Sequence, residues 1–91
     1  MIRSFRNKQL RSLWETGKTK IGAQYRARIL RRLDVLEVAA SVGDMNLPGF
    51  DFHPLQGHNP TRYSVHVNGP WCITFRFEEG DAYDLDFEQY H

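Results

Sequence analysis

Ninety-one residues, 41% hydrophobic and 25% charged, are enough for one small core and too few for a second domain, so a single domain over residues 1–91 is expected. The opening Met1–Lys8 carries charges every few residues and lacks the apolar run of a signal peptide or membrane span, which points to a cytoplasmic protein with no membrane partner. The net charge of +1 conceals a division: up to Arg32 ten lysines and arginines face Glu15 alone, a balance of +9, while from Asp34 onward Arg62 and Arg76 oppose ten acids, a balance of −8.

In chain order, Ile2–Phe5 has the make-up of an edge strand, and Leu10, Leu13 and Trp14 then fall at i, i+3 and i+4 of a short helix. After Gly22, Tyr25, Ile29, Leu33, Leu36 and Ala40 form one face of a longer helix, with Gln24, Arg28 and Arg31 on the opposite side. Gly43–Gly49 is rich in turn formers and ends that helix in a loop. The period then drops to two in Tyr63–Val67, Trp71–Phe77 and Ala82–Phe87, with Asn68-Gly69-Pro70 and Glu79-Gly80-Asp81 as hairpin turns. These elements predict an α+β fold, an antiparallel sheet of about four strands with the two N-terminal helices packed on its apolar face. The basic N-terminal segment, with Lys18, Lys20, Arg28 and Arg31 uncompensated locally, offers a surface to RNA or to an acidic protein; alternatively its charges meet the acidic strands in the fold.

Strand parity gives the polar face a register. If Val67 faces Trp71, Arg62 sits opposite Arg76, Ser64 opposite Thr74 and His66 opposite Cys72; a turn centred on Gly80 adds Asp84 beside Arg76, Asp86 beside Thr74 and Glu88 beside Cys72. Two facing arginines need an anion between them, an RNA phosphate or the Asp84 carboxylate; Asp84 suits Arg76, which leaves Arg62 the freer cation. Trp71 shares parity with Ile73, Phe75 and Phe77 and is expected in the core. Cys72 has no partner cysteine, and His53, His58, His66 and His91 lack metal-ligand spacing, so no metal or other cofactor is expected. Cleaving RNA without metal needs a base for the 2′-hydroxyl, an acid for the leaving 5′-oxygen and a cation at the phosphate, and histidine serves either proton role near neutral pH.

Phe52-His53-Pro54-Leu55-Gln56-Gly57, then Tyr63-Ser64-Val65-His66-Val67-Asn68, Trp71-Cys72-Ile73-Thr74-Phe75 and the terminal Glu88-Gln89-Tyr90-His91 resemble, in this order and spacing, the HigB toxins of the RelE/ParE superfamily. The similarity runs essentially end to end. It implies a RelE-like microbial ribonuclease fold and the toxin of a type II toxin–antitoxin pair: a ribosome-dependent, metal-independent mRNA endoribonuclease that inhibits translation and leaves a 2′,3′-cyclic phosphate. It also implies a HigA-type helix-turn-helix antitoxin, through which alone the toxin meets operator DNA. His53, Tyr90 and His91 match the family's catalytic positions; Arg62 and Arg76 are the cations available to a phosphate on the sheet. The chain departs from the family pattern at Gln56, where a lysine is common, at Cys72, where an arginine is common, and at Gln89, where an acid commonly precedes Tyr-His. Each such group is worth about 3 kcal/mol, roughly a hundredfold in rate. The competing readings are a non-catalytic toxin of the ParE type that blocks gyrase, and a decayed toxin that retains antitoxin binding.

Overall fold

In the computed structural model, which describes residues 1–90, Asn7 accepts hydrogen bonds from the N–H groups of Gln9 and Leu10 and so starts helix α1 (Lys8–Thr16). Gly17 ends it in the left-handed region at φ 78°, where a side chain would strain the backbone. Leu10 and Leu13 face inward, as the spacing predicts. Helix α2 (Ala23–Val38) buries Ile29, Leu33 and Leu36. It stops two residues before Ala40, so Ala39 is buried there and Ala40 is exposed. The expected loop beyond it contains a 3₁₀ turn (Val42–Met45), closed by reciprocal hydrogen bonds between Ser41 and Asp44. Backbone N–H donors from Ser41 and Ala40 hold the Asp44 carboxyl below its ordinary pKa. Met45 and Phe50 from this segment are fully buried.

The sheet runs β1 (His53–Leu55), β2 (Arg62–Asn68), β3 (Trp71–Glu78) and β4 (Asp81–Gln89), antiparallel and in chain order. Four strands were expected, but the first is His53–Leu55. Ile2–Phe5 contributes only isolated parallel bridges, Ile2 to Ala82 and Phe5 to Leu85, along the β4 edge. The HPL tripeptide contains a proline and shows too little alternation to read as a strand; β2 recruits it by register pairing of His53 with Ser64. Val65, Val67, Ile73, Phe75, Leu85 and Phe87 form the helix-covered core face. Trp71 lies at its margin, half-buried, with its ring stacked on Phe87 at 4.7 Å and tilted against Tyr25 at 6.0 Å.

Two bulges correct the expected register. Asn68, not Val67, pairs with Trp71, because an extra residue is accommodated between His66 and Asn68. In β4 the register shifts between Thr74 and Arg76, with Asp84 at φ 54°, so Tyr83 lies opposite Arg76. Strict parity cannot show a one-residue insertion, and this one reverses the faces of the strand before it: Ala82 enters the core, and Tyr83 stacks under the Arg76 guanidinium at 4.4 Å. Asp84 still meets Arg76, with Nε and Oδ2 3.6 Å apart.

One charged residue of the basic segment is structural. Arg32 is only 7% exposed. It donates to the carbonyls of His66 (2.6 Å), Arg28 (3.2 Å) and Gly49 (3.2 Å), and lies 4.5 Å from the Phe50 ring centre. Burial, with the neighbouring charges of Arg31 and Arg28, lowers its pKa. The side chain therefore ties α2 to β2 and to the segment before β1.

Candidate active site

The sheet's second face carries Arg62, Ser64 and His66 of β2, Cys72, Thr74 and Arg76 of β3, and Asp86 and Glu88 of β4. Pairing places His53, Ser64, Thr74 and Asp86 in one row across the four strands, and His66, Cys72 and Glu88 in the next. The predicted pairs Arg62–Arg76, Ser64–Thr74, His66–Cys72, Thr74–Asp86 and Cys72–Glu88 are all present. This face is polar yet largely closed to water: Ser64 and Thr74 are 0% exposed, Arg62 and Cys72 5%.

His53 stands exposed on the edge strand, and its Nδ1 lies 2.8 Å from the Asp51 carbonyl. A carbonyl only accepts, so Nδ1 carries the hydrogen in this bond and Nε2 of the neutral ring keeps its lone pair. Asp51 adopts φ 44°, a left-handed conformation that orients its carbonyl back toward the ring. The result is a basic nitrogen presented to solvent on a fixed ring.

Arg62 was expected to be the freer of the two sheet arginines; among the described residues it forms no ion pair, but it is buried, at 5% exposed. Its Nη2 donates to Thr74 Oγ1 (3.0 Å) and to the Asp84 carbonyl (2.9 Å) beneath the polar face. Thr74 in turn donates to Glu88, which extends the chain Arg62–Thr74–Glu88 across β2, β3 and β4. Burial lowers the Arg62 pKa, Arg6 lowers it further, and Glu88, Asp84 and Asp86 act the other way. Arg62 Nη1 and Ser64 Oγ are buried with no hydrogen-bond partner among the described residues. Arg76, by contrast, is engaged by Glu78 at 2.9 Å and by Asp84, and these bonds raise its pKa.

Tyr90 follows β4, with its N–H donating to the Pro70 carbonyl (2.7 Å), and alternation puts it on the Glu88 side. It is separated from His53 by β2 and β3, on the order of 14 Å across the sheet at ~4.8 Å per strand spacing, and by four residues along the strands, about 13 Å at ~3.3 Å per residue. The two are not in contact; they flank the polar face. The predicted catalytic His91 lies outside the described residues.

The four other predicted cations belong to α2 and to the α1–α2 connection. Arg28 and Arg31 line a groove of about 550 Å³ with Arg32, Gly49 and His66. Lys18 and Lys20 belong to the α1–α2 connection, where Lys20 borders a shallow apolar pocket with Tyr25, Trp71 and Phe87. Among the described residues no group of three or more His, Cys, Asp or Glu side chains is placed to hold a metal ion, and no helix is long and apolar enough to cross a membrane.

A family model described as the RelE-like toxin of type II toxin–antitoxin system HigB matches residues 3–91. The chain belongs to the HigB-like toxins. It is 41% identical over 92 residues to the Endoribonuclease HigB of Proteus vulgaris, a match that covers all of both chains. In this HigB-like toxin, sequence reasoning found the ring of His53 and the partners of Thr74, but missed Arg6, which lies close enough to Arg62 to lower its pKa. Arg6 comes from the N-terminal segment that bridges to Leu85, a contact no periodicity signals. The Arg62–Thr74–Glu88 chain was legible in part, because parity put all three on one face.

Proposed function

We propose that the chain is a single-domain, ribosome-dependent mRNA endoribonuclease, the cytoplasmic toxin of a pair whose partner is a HigA-type helix-turn-helix antitoxin. The observation that carries this reading is His53: an exposed imidazole with Nε2 available, fixed at the edge of a polar face that holds a buried arginine and is flanked by Tyr90. In the proposed reaction His53 takes the proton of the 2′-hydroxyl, whose oxygen bonds to phosphorus as the bond to the 5′-oxygen breaks. The products are a 2′,3′-cyclic phosphate and a 5′-hydroxyl, whose proton comes from His91. Tyr90 orients the RNA, and the positive charge of Arg62 beneath the face attracts the strand. Arg76 contributes less, because Glu78 and Asp84 already oppose its charge. Operator DNA is reached only through the antitoxin.

Lys18, Lys20, Arg28 and Arg31 serve, on this reading, as the surface facing ribosomal RNA or the antitoxin. Their position on the helical side supports a role in docking and not in cleavage. The 41% identity to a protein named an endoribonuclease supports the reaction class. Primer extension on a reporter mRNA in a translation extract, with and without ribosomes, tests it. Cuts that appear only with ribosomes are expected; intact mRNA with stalled supercoiling would replace this reading with gyrase blockade.

A further inference from the structure

Next to the row of His53 and Ser64, the polar face ends in a cavity of about 160 Å³ lined by Arg6, His58, Arg62, Arg76 and Asp84. Its charges do not balance. Asp84, the one acid among the lining residues, is engaged by Arg76, which Glu78 also holds, while Asp86 and Glu88 act on Arg62 without forming an ion pair with it among the described residues. Arg6 and Arg62 form no ion pair among the described residues: Arg6 is anchored by its backbone N–H to the Leu85 carbonyl (2.8 Å), and the hydrogen bonds of Arg62 go to a hydroxyl and a carbonyl. Arg62 is 5% exposed, and its Nη1 has no hydrogen-bond partner among the described residues. Burying a guanidinium beside a second cation, with one donor left unsatisfied, costs stability that the two hydrogen bonds of Nη2 offset only in part.

We propose that this cavity is an anion subsite that seats a phosphate of the bound RNA strand beyond the one that is cleaved. It rests on the nuclease reading for the identity of the strand, but phosphate binding can be measured without it. The Arg62–Arg76 row lies two residues along the strands from the Ser64–Thr74 row, about 7 Å at ~3.3 Å per residue, so the cavity follows the line that a strand passing His53 would take. Nitrogen-bearing side chains converge on it from three places: Arg6 before α1, His58 in the β1–β2 connection, and Arg62 and Arg76 on the sheet. A tetrahedral phosphate accepts from several directions at once, whereas a carboxylate is best met by one guanidinium in its own plane. The Nη1 atom is buried, and the exposed 57–61 segment contributes His58, Asn59 and Pro60 to the cavity lining.

The test is a titration of the full-length, isotope-labelled protein with inorganic phosphate, followed through the Nε–H signals of its arginines and the ring signals of His58. Phosphate is expected to move Arg6, Arg62 and His58; Arg6→Gln should weaken its binding by about fivefold or more, and Arg6→Lys should restore most of it. Arg6→Gln should also raise KM for mRNA on the ribosome more than it lowers kcat, and reduce the salt dependence of RNA binding by about one unit of slope. Unmoved signals, unchanged phosphate affinity in Arg6→Gln, or a response only to an Asp/Glu-rich peptide would overturn the subsite. Phosphate binding without any mRNA cleavage would sink the nuclease reading and leave the anion site standing.

Discussion

The two faces of the one sheet solve opposite problems. On the helix-covered side, Val65, Ile73, Phe75 and Leu85 are buried against α1 and α2, and stability is gained by removing apolar surface from water. On the other side Ser64, Thr74, Cys72 and Arg62 are buried just as deeply, yet Ser64 Oγ and Arg62 Nη1 lack partners among the described residues. Native proteins leave few such groups unsatisfied, and those that persist are best sought where a ligand binds. The difference marks the polar side as the place where, on the proposed reading, a ligand would bind.

Substitutions can test that difference, the largest effect lying on the apolar side. Phe75→Ala empties a fully buried aromatic site and should cost about 3–5 kcal/mol of stability, with activity lost only through unfolding. Denaturant melts check this, and a Phe75→Ala protein as stable as the parent would show that the core lies elsewhere. Arg32→Met should cost about 2–4 kcal/mol, because the carbonyls of His66 and Gly49 lose a charged donor. That figure applies to a basic-segment arginine that sequence alone would assign to the surface. Thermal unfolding of Arg32→Met and Arg31→Met side by side distinguishes the clasp from its exposed neighbour.

A third substitution sharpens the polar side. Cys72 lies between His66 and Glu88 on the polar face. If a cation there limits the rate, Cys72→Arg should accelerate single-turnover cleavage by as much as roughly a hundredfold, although insertion at a site 5% exposed lowers stability. An equal or slower rate in the folded variant would mean that Arg62 beneath the face already supplies the charge.

The smallest effect concerns pH. The folded pKa of Asp44 lies below its ordinary value, so its contribution is present above the ordinary carboxylate range and is lost as pH falls through the folded pKa. The stability difference between the parent and Asp44→Ala should therefore narrow as the pH is lowered through that range. A gap that stays constant in acid would remove Asp44 as the cap of the 3₁₀ turn.

Much of this was legible in the sequence. Periods of 3.6 and 2 located both helices, three strands and most of the cross-strand pairs, because one face of each element must be apolar. Three features were not legible, each for a local reason. His53–Leu55 is a strand only because β2 pairs with it. The bulge at Asp84 inserts one residue and sends Tyr83 to the polar side. Arg62 looks like a surface cation in sequence, and only the third dimension puts it under Thr74 with Arg6 nearby.

The functional assignment of the polar face is tested most directly by His53→Gln on programmed ribosomes, with cleavage and thermal unfolding measured on the same preparation. His53 is exposed, and among the described residues its ring is bonded only to the Asp51 carbonyl, so the melting temperature should stay within a degree or two of the parent. Single-turnover cleavage should fall by about 10²–10⁴-fold, as expected for loss of a general base. A folded His53→Gln protein that cuts mRNA at the parental rate would contradict the assignment of cleavage to this face of the sheet.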